Sequence, residues 1–291
     1  MNIKKAIIPV AGLGTRFLPL TKAIPKPILP LADRPMIDYI VEEAKKSGIE
    51  RVVFVLSNDK NNILDYFKKN SKLENILEKR NQKDILKSLK DIDKEIENIS
   101  FSSVIQQNPK GDGDAILKAQ KIIGKDACGV LFGDDIILSK IPALEQLSNI
   151  FKTCQKPIIC LKRVSKDMLS SYGVVKVDKI ANRLYKIKDI IEKPKKEEDA
   201  PSDLAIVGRY IITPLVFEYL KKVNSNHKGE IILAQAFKDM LKDGKIVYGY
   251  EVEGEWLECG NKLNWLKSNL RICLQHPEFG PILKDYLKKI L

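Results

Sequence analysis

Histidine is nearly missing from this chain of 291 residues: there are two, His227 and His276, each in a polar or proline-flanked stretch. That scarcity argues against a Ser-His-Asp or Cys-His mechanism and against a His-rich metal centre. The five cysteines (Cys128, Cys154, Cys160, Cys259 and Cys273) form no C-x-x-C pair, and their odd number fits poorly with a disulfide framework. Long hydrophobic runs are absent too. The longest are strand-length pieces such as Ala6–Leu13, well short of the roughly 20 apolar residues that span a bilayer. Met1-Asn2-Ile3-Lys4-Lys5 leads straight into that piece with no sign of a secretory leader. The net charge of +12 comes from lysines spread along the whole chain, with no basic stripe carrying interleaved aromatics. The expectation is a cytoplasmic enzyme that works without histidine or thiolate, with no membrane and no nucleic-acid partner.

A hydrophobic share of 44% is ample for a sizeable core. Ala6–Val10 is a short apolar run closed by Ala11-Gly12-Leu13-Gly14, a buried strand feeding a glycine loop. Pro35–Ser47 carries Met36, Ile37, Ile40, Val41 and Ala44 at helical spacing, with Gly48 as the stop, and Arg51–Leu56 is again a β-branched run. Strand, helix and strand in that order make a βαβ unit with parallel pairing. Further strands are expected at Ser102–Gln106, Gly129–Phe132, Pro157–Arg163, Gly173–Val177, Tyr185–Ile191, Ile206–Ile212 and Ile246–Glu251. Helices are expected at Asp114–Ile123, Pro214–Lys222, Glu230–Leu241, Lys262–Cys273 and Pro277–Ile290, with a helical excursion over Asn61–Asn98. This is an α/β chain, a continuous mixed sheet with helices on both faces. One domain over 1–291 is expected, with a first half to about 150, a second over about 151–260 and terminal helices over 262–291.

The segment from Gly12 to Leu31 carries the chemistry. Glycines directly after a first strand let backbone N–H groups approach an anion. A dinucleotide-binding fingerprint would need glycine at position 17, where Phe17 stands, and Pro19, Pro25, Pro27 and Pro30 disfavour the helix it requires. The Gly-Lys-Ser/Thr of a P-loop is also absent. What remains is a proline-stiffened loop bearing Thr15, Arg16, Lys22 and Lys26 beside two glycines. Arg16, with a planar fork, and Lys26, a point charge, are suited to neutralising a polyphosphate.

This loop resembles the signature of the sugar-1-phosphate nucleotidyltransferases. Ile8-Pro-Val-Ala-Gly-Leu-Gly-Thr-Arg16, Thr21-Lys-Ala-Ile-Pro-Lys26, Ile191-Glu-Lys-Pro194, Ala200-Pro-Ser-Asp-Leu-Ala-Ile-Val-Gly-Arg-Tyr210 and Cys259-Gly-Asn-Lys-Leu263 are most similar to the uridylyl-transferring branch. The resemblance implies a Rossmann-like, mostly parallel central sheet and the substrates UTP and glucose 1-phosphate, with Mg²⁺ as cofactor and a homo-dimer or homo-tetramer as the assembly. It implies that Ala11, Gly12, Gly14, Thr15, Arg16 and Lys26 hold the triphosphate, and that Arg16, Lys26, Asp134 and Lys193 carry catalysis. Gln106 lines up with the glutamine that reads the base, able to donate to uracil O4 and accept from N3–H; Gln107 beside it stays an alternative. Gly111 and Gly113 match the glycine pair behind the base. Asp134, at the carboxyl end of a buried strand, matches a Mg²⁺ ligand, with Glu258 as the second carboxylate; Asp135 shares that role or points away. Gly173, Glu192 and Lys193 match the sugar-phosphate site.

There are four departures from the branch. Pro27 stands for a usual Glu, Asp114 for a usual His, Glu258 for Asp, and Leu233-Ala-Gln-Ala236 for Leu-Thr-Asp-Ala. They leave open a relative with altered base or sugar choice, or a UDP-sugar-binding protein of weakened turnover.

Overall fold

The computed structural model describes residues 2–58, 62–223 and 229–291. His227, and Asn61 at the start of the expected excursion, lie outside the described residues. Nine strands share one sheet: β1 Lys5–Pro9, β2 Arg51–Leu56, β3 Ser100–Ile105, β4 Cys128–Leu131, β5 Ile158–Arg163, β6 Gly173–Ala181, β7 Leu184–Glu192, β8 Leu204–Ile212 and β9 Tyr248–Glu251. Their order is β3-β2-β1-β4-β8-β5-β9-β7-β6.

The inner strands read as unbroken apolar runs because both of their faces are buried. Ala6, Ile8, Val52, Phe54 and Leu56 enter one apolar cluster, while Ile7, Val53 and Val55 enter the other. A fully buried aliphatic of this kind contributes about 1.5–3 kcal/mol. Helices Met36–Lys46 and Ala143–Cys154 cover the first cluster through Met36, Ile40, Leu147 and Phe151. Helices Asp112–Lys118, Pro214–Lys222 and Leu233–Lys242 cover the second through Ile116, Phe217 and Phe237.

Every strand expected from the sequence has a counterpart, with ends moved by a few residues. Parallel pairing joins β1 to β2 and β4, β2 to β3, and β5 to β9. The remaining pairs are antiparallel, so the sheet is mixed with a smaller parallel share than expected. The reason is local: β6 and β7 pair from Ala181↔Leu184 outward, a tight hairpin that admits only antiparallel strands, and β8 returns between β4 and β5. The expected helix Asp114–Ile123 is two, Asp112–Lys118 and Gln120–Ile123. The excursion holds three, Asn62–Tyr66, Ser71–Lys79 and Lys83–Ile96.

The chain lays β2 and β3 on one side of β1 and then places β4 on the other. A crevice opens at such a switch point, beyond the carboxyl ends of the two strands. The loop that leaves β1 and the Gly133-Asp134 turn that leaves β4 face each other there. A two-stranded ribbon, Asp135–Leu138 with Glu255–Glu258, follows that turn directly and sets Glu258 opposite Asp135.

Candidate active site

The crevice is a cleft of about 530 Å³. Its walls include Ala11, Gly12, Gly14, Thr15, Arg16 and Lys26 from the first loop, Gln106 and Gly111 from beyond β3, and Asp134 from beyond β4. Most of the nucleotide-site residues expected from the sequence therefore converge. Gly14 turns the loop through a left-handed conformation (φ 67°), and the Thr21 hydroxyl donates to its carbonyl at 2.8 Å. A short turn over Thr15–Phe17 buries Phe17, whose ring lies under the Lys26 ammonium (5.2 Å) and meets Trp265 edge-on. Lys26 is thus held low over an aromatic floor, and its ammonium reaches the Asp134 carboxylate at 2.6 Å. The Lys26 side chain keeps 14% of its surface exposed and that of Asp134 37%, so the pair sits at the wall of the cleft and stays accessible from it.

The two adjacent acids at the end of β4 separate in role. Asp134 faces the cleft. Asp135 is turned inward, accepting from the Trp256 indole N–H (2.6 Å) and the Gly208 N–H (3.1 Å). Desolvation and the neighbouring Asp134 charge raise its pKa well above the carboxylate range. Asp135 therefore points away from the cleft. Glu258, across the ribbon, accepts from the Gly260 N–H (2.6 Å) and from the Asn264 amide. Its extra methylene lets it fold back on its own loop, where an added Cβ at Gly260 would collide with it at 2.0 Å. Asp134 and Glu258 offer hard oxygen donors, and among the described residues no group of three His, Cys, Asp or Glu gathers around them. That donor set fits Mg²⁺, which is bound through one or two carboxylates with water and phosphate oxygens supplying the rest. Cys259, the residue after Glu258, is buried, and burial pushes its thiol pKa up to about 12.

Gln106 is buried and lines the cleft, whereas Gln107 is exposed and does not, which separates the two candidates. The amide nitrogen of Gln106 is already engaged, donating to Asp114 Oδ2 (2.7 Å) and to the Gly111 carbonyl (3.2 Å). Gly111 and Gly113 are explained differently from the expectation. A Cβ at either would strike the Ile231 backbone, at 2.4 Å and 2.9 Å, so their first demand is close packing against that segment. Gly113 lies behind the wall and does not line the cleft, its N–H donating to the Ile231 carbonyl at 2.9 Å.

Gly173, Glu192 and Lys193 lie together but outside the 530 Å³ cleft. Gly173 and Glu192 are register partners at the end of the β6–β7 hairpin, and a Cβ at Gly173 would press on the Glu192 carboxylate at 2.9 Å. Lys193 takes a left-handed backbone (φ 47°) and donates its N–H to the Tyr172 carbonyl at 3.1 Å, leaving its side chain exposed. Tyr172 ties this cluster to the two-stranded ribbon by packing on Trp256, with ring centroids 4.9 Å apart.

Sequence reasoning assigned no role to Arg209. It is wholly buried in β8 and paired with Glu43 (2.8 Å), and it donates to the carbonyls of Phe132 (3.1 Å), Gly208 (2.9 Å) and Asp135 (2.5 Å). Those bonds hold the backbone on both sides of Gly133-Asp134. A lone arginine inside the apolar run Leu204–Ile212 was the available signal, because an arginine there must find a buried partner. Asp112, also unread, lines the cleft and accepts from the Gly113 N–H (2.7 Å) and the Leu233 N–H (3.0 Å).

The nucleotidyl transferase family matches residues 5–273 of the chain. The chain belongs to that family. Among curated nucleotidyl transferases, it is 40% identical over 289 residues to the UTP–glucose-1-phosphate uridylyltransferase of Staphylococcus haemolyticus, covering 99% of each. A second relative of that description, from Staphylococcus saprophyticus, is 40% identical over 290 residues, covering 100% of this chain and 99% of its own length. Among solved structures, the UTP-bound enzyme of Acinetobacter baumannii superposes with a TM-score of 0.90 at 35% identity, over 99% of this chain and 100% of that one. A UDP-glucose pyrophosphorylase complexed with UDP-glucose gives 0.84 at 36% identity, over 94% and 100%.

Proposed function

We propose that the chain transfers uridylyl from UTP to glucose 1-phosphate. A phosphate oxygen of the sugar attacks the α-phosphorus in line, the bond from that phosphorus to the bridging oxygen breaks, and pyrophosphate leaves. The products are UDP-glucose and pyrophosphate. The attacking oxygen is already anionic, so no general base is needed, and catalysis rests on positioning and charge neutralisation. One observation carries this reading: the cleft gathers Arg16, Lys26 and the carboxylate of Asp134 against the glycine loop that follows β1. Full-length relatives that handle UTP and UDP-glucose support it.

Within this reading the Lys26–Asp134 pair is the resting arrangement. An incoming triphosphate takes over Lys26, and Arg16 neutralises the departing pyrophosphate. Mg²⁺ would be held by Asp134 and Glu258, and when bound it supplies positive charge to the phosphates. Gln106 reads the base beside Gly111, while Glu192 holds sugar hydroxyls and Lys193 the sugar phosphate, with Gly173 making room. One nucleotidyltransferase domain then spans 1–291, its first half for the nucleotide and its second for the sugar phosphate. The chain assembles as a homo-dimer or homo-tetramer through its terminal helices, where Leu263, Leu266 and Leu270 on Lys262–Gln275 and Ile282, Tyr286 and Ile290 on Phe279–Ile290 are exposed at helical spacing. Among the described residues no helix is long and apolar enough to cross a membrane. A cytoplasmic location goes with that reading.

The test is pyrophosphate release with Mg²⁺ across UTP, dTTP, CTP and GTP against several sugar 1-phosphates. Fastest turnover with UTP and glucose 1-phosphate is expected. Preference for another pair would replace the substrates named here, and UDP-glucose binding without release would make the chain a sugar-nucleotide-binding protein.

A further inference from the structure

Gln106 cannot use both ends of its amide on a base, because one end is spent inside the protein. An amide has two N–H donors on nitrogen and an acceptor on oxygen. Here the nitrogen faces Asp114 Oδ2 at 2.7 Å and the Gly111 carbonyl at 3.2 Å, two acceptors that use both N–H groups. The reverse orientation would set the amide oxygen against those same two oxygens. Asp114 is buried (6% exposed) and locked in the helix Asp112–Lys118, with the Lys118 ammonium 3.9 Å from its other oxygen, so it cannot swing away cheaply. Among the described residues nothing donates to Gln106 Oε1. The residue lines the cleft, so that acceptor is the group it has left for a ligand.

We propose that Asp114 is a positioning residue for base choice: it fixes the Gln106 amide with its oxygen toward the base, so that the site demands a ring N–H and reads no carbonyl through Gln106. Uracil presents N3–H and satisfies this acceptor. Cytosine presents a bare N3, which would face the amide oxygen lone pair to lone pair. This rests on the uridylyl reading above and narrows it, because donation from Gln106 to uracil O4 drops out. Discrimination against cytosine then comes from an acceptor left unpaired in the cleft, a stronger rejection than a merely missing contact.

The proposal is tested first on the unaltered chain by calorimetry, with Mg²⁺ and no sugar phosphate. N3-methyl-UTP removes the N–H, and 4-thio-UTP weakens the O4 acceptor while leaving N3–H in place. Binding of N3-methyl-UTP should weaken about tenfold or more relative to UTP, and that of 4-thio-UTP by no more than about threefold. The opposite order would show Gln106 donating to O4 and overturn the proposal. The second test is Asp114→Asn, whose amide satisfies Gln106 in either orientation. The UTP-to-CTP ratio of kcat/KM should fall about tenfold, mainly by a gain for CTP. Equal losses for both nucleotides would mark Asp114 as merely structural. Should the variant not fold, the analogue series decides alone. A chain that binds UTP in the expected order of analogues but transfers nothing would sink the transferase reading and uphold this one. Absence of binding by any triphosphate would sink both.

Discussion

The half of the sheet built from β1 to β4 and the half built from β5 to β9 bring side chains to the proposed substrate sites in different ways. In the first, parallel strands end together at a switch point, and two loops deliver glycines, Arg16, Lys26 and Asp134 into one cleft. In the second, an antiparallel hairpin ends in Gly173 and Glu192, and Lys193 projects from a left-handed corner outside that cleft. A parallel crevice surrounds its ligand, whereas a hairpin end can only present groups to it. The first half should therefore hold the nucleotide and the reacting phosphates, and the second should contribute orientation of the sugar.

The change that bears hardest on this contrast is Asp134→Ala. It removes the outward carboxylate and leaves Lys26 without its partner, and turnover should fall about a thousandfold or more. Stability should change by no more than about 1 kcal/mol, because the pair lies at the accessible wall of the cleft. Steady-state pyrophosphate release and a thermal melt check both halves of the statement; a rate like the parent's would remove Asp134 from the site.

Arg209→Met, on β8 of the second half, separates support from chemistry at the Gly133-Asp134 turn of the first. Glu43 would be left buried without its cation, a loss of about 3–5 kcal/mol. Adding Glu43→Met should restore much of that stability, since an apolar pair of similar volume is often neutral. Turnover should stay depressed, because the carbonyls of Phe132 and Asp135 lose their common donor either way. Urea melts and rates on both variants decide it, and full recovery of rate in the double variant would end the positioning argument.

Much of this was readable in advance where local chemistry decides structure. Buried β-branched runs such as Arg51–Leu56 announce strands whatever they pair with, and Gly12, Gly14 and the four prolines mark the first loop. The ion pair between Glu43 and Arg209 was not readable, since its partners stand 166 positions apart and meet only through the order of the sheet. Nor was the reason for Gly111 and Gly113, because what fills the space of their missing Cβ atoms is the distant Ile231 backbone. Helix Ala143–Cys154 carries Leu144, Leu147 and Phe151 at helical spacing and went unread, as did the ribbon that sets Glu258 opposite Asp135. The orientation of Gln106 depended on a buried neighbour, Asp114, that sequence comparison marked only as unusual.

Lys193→Ala addresses the second half. An exposed lysine on an anionic ligand makes a charge-assisted hydrogen bond of about 1.5–3 kcal/mol. KM for glucose 1-phosphate should rise about tenfold to a hundredfold, while KM for UTP moves by less than about threefold. Equal losses would place Lys193 on the nucleotide side and erase the division between the halves.

The smallest expected effect concerns two carboxyl groups, Asp112 and Glu192, whose titration the fold shifts. Burial pushes the Asp112 carboxyl up to about 6, from an ordinary value of 3.8, against the N–H groups of Leu233 and Gly113 that favour its ionised form. Between those two values the folded chain binds a proton that the unfolded chain has released, so this group makes stability fall as pH rises through that window. Above about 6 the folded carboxylate is ionised at full cost. Asp112→Asn keeps an oxygen acceptor for both N–H groups and removes the charge. It should leave stability unchanged near pH 4 and raise it by on the order of 2 kcal/mol at pH 7.5. Urea melts at the two pH values read the difference directly, and equal stabilities at pH 7.5 would mean that water reaches Asp112. Glu192 in the second half is also raised by desolvation, with Lys193 opposing it. Glu192→Gln should therefore show the same sign with a smaller amplitude, because a hairpin end shields its groups less than a crevice does.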